Sequence, residues 1–257
     1  MRISRIIIMI QLSISCLLAT DPFEWSADAA SVLEPGQRQI GLFQPWRIGM
    51  SDRYELSTHP LLFLGIPNLS VKLGHGSMSG LDIGSRHSMT YPTLLLKAAA
   101  KEGIGGLISP EFEIPAMLHH KSELLVSKPF GDRSLVNLKA GLAITFRSGD
   151  LDSRTSIDLP LLYQRWATWY SGWGVVTGGE LIHRLSDKLA IQADGDIFLH
   201  SGDTGGLALE HKSLLHFARK SNRRFSFGYK LTYVEYPFGK QVHFLGPIFD
   251  FQWSWEK

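Results

Sequence analysis

His211 with Ser213, and His120 with Ser122, are two His-x-Ser pairs whose types and spacing suit covalent chemistry. Positions i and i+2 of an extended strand share a face. Each imidazole therefore lies beside its hydroxyl, where it could act as base toward a serine nucleophile. Leu214 follows the first serine and Glu123 the second, and neither pair comes with a third residue to orient the ring. Two unsupported copies point to coincidence and leave hydrolysis a minority alternative. Asp194-Gly195-Asp196 puts two carboxylates on one face. A calcium site needs several more oxygen ligands, and the EF-hand spacing is absent, so these carboxylates are expected to pair with Lys or Arg. His119 and His120 are adjacent, point to opposite faces of a strand and cannot share a metal there. The chain has no Gly-rich phosphate loop and no dinucleotide fingerprint, so no cofactor and no metal is expected.

The elements that must carry these residues are strands. From Gln37 onward the dominant period is two. Phe225, Phe227, Tyr229, Leu231 and Tyr233 alternate with Ser226, Gly228, Lys230 and Thr232, and Val136 to Arg147 and Leu189 to His200 alternate in the same way. About twelve strands are expected, at 37–49, 53–59, 68–76, 83–91, 117–127, 134–148, 155–170, 173–184, 189–200, 206–219, 223–236 and 240–255. Ser51-Asp52-Arg53 and Ser186-Asp187-Lys188 read as tight turns, and Ser201 to Gly205 and Pro237-Phe238-Gly239 as loops. Thr93 to Lys101 reads as a short inserted helix. Charged residues make up 19% of the chain and the net charge is +2, which gives no sign of a nucleic-acid binder.

The last expected strand separates the possible folds. Phe249, Phe251, Trp253 and Trp255 alternate with Asp250, Gln252 and Ser254, so one face is aromatic and the other polar. In a membrane barrel lipid covers the first face and the second lines the interior. Ahead of it all, Arg2 and Arg5 precede an apolar run from Ile6 to Leu18, which reads as a secretory leader. Ala27-Asp28-Ala29 is the expected cleavage site, giving a leader over 1–29 and a barrel domain over 30–257; a cut after Ala19 is the alternative. Cys16 is the single cysteine and falls within that leader, so no disulfide framework or thiolate site is expected in the mature chain.

The terminal aromatic strand resembles the assembly signal of small Gram-negative outer-membrane β-barrel proteins. That resemblance implies an all-β chain folded as a single antiparallel transmembrane β-barrel in the outer membrane. It further implies contact with outer-membrane lipids, and recognition by the barrel-assembly machinery through Phe249, Phe251, Trp253 and Trp255. A His-x-Ser pair on a barrel's outer surface also resembles the outer-membrane phospholipase and lipid A deacylase families, whose motif continues with Asn where Leu214 stands here. Trp166, Trp169, Tyr170, Trp173, Tyr236 and Phe238 are expected in an outer aromatic belt. The expected lumen lining is Lys139, Arg147, Asp158, Glu180, Asp194, Asp196, Glu210, Lys212, Lys230 and Asp250. Opposite charges facing each other across a narrow lumen can fill it. The functions in view are a narrow pore or transporter for small solutes, a lipid hydrolase at His211 and Ser213, and a structural barrel with a plugged lumen.

Overall fold

The structure, a computed structural model, describes residues 22–102, 107–157, 162–202, 206–220 and 222–256. Twelve antiparallel strands close into one barrel. They are β1 (Arg38–Gly41), β2 (Trp46–Ser51), β3 (Tyr54–Thr58), β4 (Asn68–Met78), β5 (Leu81–Thr90), β6 (Met117–Phe130), β7 (Ser134–Arg147), β8 (Trp173–Ser186), β9 (Leu189–His200), β10 (Leu207–Lys220), β11 (Arg223–Tyr236) and β12 (Gly239–Trp255). β1 meets β12 to close the ring, with Arg38 opposite Trp255 and Gly41 opposite Gln252. Closure leaves no sheet edge, so every strand backbone has a neighbour to pair with and the sheet can stand in lipid.

Alternation then divides the wall. Along β9, Gln192, Asp194, Asp196 and Phe198 point inward and are buried, while Ile191, Ile197 and Leu199 point outward and are exposed. On β12, Phe249, Phe251, Trp253 and Trp255 are all 40–49% exposed, whereas Asp250, Gln252 and Ser254 are buried. An apolar outer wall of this extent has no place on a monomer in water.

The two rims differ. At one end, the turn end, β2–β3, β4–β5, β6–β7, β8–β9 and β10–β11 are joined by a few residues each, and β1 begins and β12 ends there. The other, the loop end, carries the longer connections. These include the short helices α1 (Pro60–Phe63), α2 (Thr93–Ala99), α3 (Tyr163–Trp166) and α4 (Thr168–Ser171).

The strand number matches the expectation through two errors that cancel. The expected strand 37–49 is two strands, β1 and β2, parted at residues 42–45. Pro45 has no N–H for the ladder, and the Phe43 N–H turns into the barrel to donate to Asp250 Oδ1 at 3.0 Å. The expected strand 155–170 is not a strand. Its second half is α3 and α4, where Tyr163, Ala167 and Tyr170 are buried at spacings of four and three, a helical period. Every strand between residues 53 and 148 consequently runs opposite to the expected direction. The helix at Thr93 is present. Residues 1–21 of the expected leader lie outside the described residues, and 22–29 lie within them.

Candidate functional site

Residues 22–34 run across the turn end of the barrel, with Trp25, Ser26, Ala29, Ala30 and Leu33 buried. A 3-10 turn (Pro22–Trp25) sets Phe23 against the Arg184 guanidinium and Trp25 against that of Arg224, with ring distances of 5.3 and 5.2 Å. Beyond it the chain crosses the lumen on polar contacts. Ser26 Oγ donates to Glu180 Oε1 at 2.5 Å. Asp28 takes Arg86 Nη1 on one oxygen at 2.8 Å and Lys139 Nζ on the other at 2.7 Å. The Ala30 N–H donates to Ser127 Oγ at 2.7 Å and the Leu33 N–H to Glu55 Oε2 at 3.1 Å. The wall makes room by lacking side chains. A Cβ on Gly84 would stand 2.5 Å from the Ala30 carbonyl oxygen, and one on Gly49 would stand 2.5 Å from that of Leu33.

Above this segment the lumen is crossed by linked charges. Arg47 grips Glu55 through Nε and Nη2 at 2.8 and 2.9 Å, a fork geometry suited to a carboxylate. Lys139 joins Asp28 to Asp196, the latter at 2.9 Å. Lys212 pairs with Asp194 at 2.9 Å, and Lys230 with Glu210 at 2.8 Å. Glu180 is held by neutral donors, Asn137 and Gln192 as well as Ser26. Asp250 accepts from Gln252 at 2.9 Å. Removing one member of such a set leaves its partner buried and uncompensated, which costs about 3–5 kcal/mol.

The described members of the expected lining point inward, and two of the ten residues call for comment. Asp158 lies outside the described residues. Arg147 faces inward and among the described residues makes no ion pair; its Nη1 donates to the carbonyls of Trp169 and Tyr170 at 3.5 and 3.0 Å and clamps α4. Sequence reasoning missed Asp28, Arg47, Glu55, Arg86 and Arg165. Asp28 had been assigned to the leader, and Arg165 to a strand that does not exist. Arg47, Glu55 and Arg86 lie in the first strands, where alternation is weakest.

At the loop end, three connections meet over the mouth. Leu96 of α2, Ile114, Leu151, Tyr163, Trp169 and Tyr170 form an apolar core there with Phe198 and Val234 of the wall. This overturns most of the expected outer belt. Trp169, Tyr170 and Tyr236 are buried at 1%, 6% and 4%, and Trp166 stacks on Trp169 at 4.7 Å. Only Trp173 and Phe238 of that set stand exposed. The aromatics fill the lid because residues 148–157 and 162–172 fold over the mouth instead of forming a strand. Burial pushes the Tyr163 hydroxyl up to about 12, so it stays protonated within the lid. Under the lid is a cavity of about 210 Å³, bounded by residues of α3, α4 and the loop-end halves of β4 to β9.

The structure does not join His211 to Ser213. His211 Nδ1 contacts the Asp194 carbonyl at 2.7 Å and Nε2 the Tyr229 hydroxyl at 3.2 Å, while Ser213 Oγ donates to the Gln192 carbonyl at 3.3 Å. At the second pair, Ser122 Oγ stands 2.8 Å from His120 Nε2 and 2.9 Å from His87 Nδ1. No carboxylate orients either ring there. The described residues hold no cluster of three or more His, Cys, Asp or Glu that could bind a metal.

A closed antiparallel barrel with an apolar outer wall and a polar lumen decides the class. The fold is that of an outer-membrane β-barrel. Several solved structures are similar to it. They include a KdgM porin in complex with disordered oligogalacturonate, at 7% identity and TM-score 0.41 over 85% of this chain and 94% of that one; the outer-membrane expressed OmpT of Vibrio cholerae, at 9% and 0.46 over 84% and 64%; and a FadL homologue of Pseudomonas aeruginosa, at 10% and 0.38 over 82% and 68%. Likeness at this level concerns the barrel alone and says nothing of activity. No family model matches the chain, and no curated protein matches it.

Proposed function

We propose that this outer-membrane barrel passes a small solute and is closed at rest by its own residues 22–34. The observation that carries the reading is Asp28, which stands in the lumen and bridges Arg86 of β5 to Lys139 of β7. The segment's hold is mostly polar, with Trp25 and Leu33 its only large buried apolar side chains. Water can replace hydrogen bonds and ion pairs at small net cost, so such a segment can leave where an apolar plug would not. Short turns face the periplasm in bacterial barrels, which puts the segment on the periplasmic side. The C-terminal strand, with Phe249, Phe251, Trp253 and Trp255 turned outward, remains the surface proposed for the assembly machinery.

The reading also moves the proposed leader boundary. A cut after Ala29 would remove Trp25, Ser26 and Asp28, whereas a cut after Ala19 keeps the whole segment. The mass of the mature protein separates the two.

Deletion of residues 22–33 tests closure. In planar bilayers the wild type should be silent, and the deletion, folded and heat-modifiable on gels, should show a steady conductance. Silence of the folded deletion would support the second reading, a structural barrel, which the linked lumen charges favour. Recovery of the wild type as a soluble periplasmic protein that needs no detergent would end the outer-membrane assignment.

A further inference from the structure

The cavity under the lid has the chemistry of a receptor for organic anions. Among the described residues none that lines it is acidic; its ionisable groups are Lys121, Arg165 and the three histidines 59, 119 and 200. Both cations are held in place from the layer below: Lys121 Nζ lies 3.0 Å from Glu123, and Arg165 Nη2 lies 2.7 Å from Glu210. Those contacts use one donor nitrogen of each side chain. A guanidinium carries five N–H donors and an ammonium three, so both keep donors for a ligand, and the Arg165 side chain is 41% exposed. Further groups wait for a partner, and two of them concern an anion. The Trp169 indole N–H is buried without an acceptor, and the Thr90 hydroxyl is buried without any hydrogen bond. A buried donor left unsatisfied costs stability, and a ligand oxygen would remove that cost.

Part of the remaining lining is flat and apolar, with Trp166, Val176 and Phe198 beside polar residues such as Asn68 and Ser88. Trp166 stacks on Trp169, and the Phe198 ring lies 5.8 Å from the Arg165 guanidinium carbon. That surface needs an organic body to cover it, which inorganic phosphate lacks. At roughly 30 Å³ per water in the liquid, a volume of about 210 Å³ holds a molecule the size of a single sugar ring or a short-chain acid.

We propose that this cavity binds a small organic solute through its carboxylate, with Arg165, Lys121 and the Trp169 N–H as the anion contacts and Phe198 and Trp166 as the apolar wall. The inference rests on the passage reading only in taking the bound solute for the one admitted.

Calorimetric titration of the intact barrel in detergent micelles tests it, with glucuronate, glucose and inorganic phosphate as probes. Glucuronate should bind saturably and at least tenfold more tightly than glucose, which has the same ring without the carboxylate, or than phosphate. Arg165→Gln should weaken glucuronate tenfold or more. Because that change leaves Glu210 with one cation fewer, Trp169→Phe and Thr90→Val, which remove single polar groups, keep the test alive if it fails to fold. Each should weaken binding several-fold in protein that stays heat-modifiable. Equal binding of glucuronate and glucose, equal binding of phosphate, or variants that bind as the wild type does would each overturn the proposal. Glucuronate binding by a barrel whose 22–33 deletion stays silent would sustain the site and end the passage reading. Conductance of that deletion without glucuronate binding to the wild type would do the reverse.

Discussion

Residues 22–34 at the turn end and the lid at the loop end both fill the mouth of the same barrel, yet almost nothing about their hold is shared. The first is a single pass of chain fixed by Ser26, Asp28 and two backbone N–H groups to charged and polar wall residues. The second is three loops that bury Leu96, Tyr163 and Trp169 at 1% exposure or less. Apolar burial is lost in full when a side chain is truncated, because the cavity left behind adds to the transfer cost. A hydrogen bond exchanged for water costs little net. On the proposed reading, one barrel carries a fixed closure at one end and a releasable one at the other.

Four substitutions would break or sharpen that contrast. Trp169→Ala in the lid should lower stability by about 3–5 kcal/mol, read as a shift of the urea midpoint in micelles, and the shift should be the same in low and high salt. A loss that vanished at high salt would place the lid among the electrostatic closures. Next in size is Tyr229→Arg on the lipid face of β11, midway between the two ends. It should cost about 2–4 kcal/mol through the cost of a charge in lipid without altering conductance, which serves as the control for the wall itself.

Asp28→Asn should cost about 1.5–3 kcal/mol, the range for hydrogen bonds to charged groups. Arg86 keeps Glu123 at 2.7 Å and Lys139 keeps Asp196, so the barrel should still fold. Its signature is functional: channel openings that the wild type lacks, more frequent as salt rises and screens the remaining pairs. Ser26→Ala should be the mildest, at about 1 kcal/mol, because Glu180 retains Asn137 and Gln192. If it opened the barrel more than Asp28→Asn does, the ion pairs would not be what holds the segment.

How much of this was legible in the sequence follows the same division. Period-two alternation depends on each strand having one apolar and one polar face, and β6 to β12, at 12 to 17 residues each, are long enough for it to stand out over part of their length. Their inward charges could be named in advance; in the structure Lys139 pairs with Asp196 and Lys230 with Glu210. β1, β2 and β3 have four, six and five residues, too few for a period to stand out, so Arg47 and Glu55 went unnoticed. The helices of the lid mimic alternation, since Tyr163, Arg165 and Ala167 can be read at every second position as easily as at helical spacing. The segment 22–34 was hidden for another reason. Ala27-Asp28-Ala29 satisfies the small-residue pattern of a cleavage site, and only the contact of Asp28 with Arg86 and Lys139 reveals its other use.

The central claim, that residues 22–34 are the gate, is tested most directly by fastening and releasing them. Ala30→Cys with Ser127→Cys, in the Asp28→Asn background, places a thiol on the segment and another on β6, where the Ala30 N–H already meets Ser127 Oγ at 2.7 Å. The account predicts silence in planar bilayers while the pair is oxidised and conductance after reduction, with heat-modifiable protein in both states. The same conductance in both redox states would contradict it.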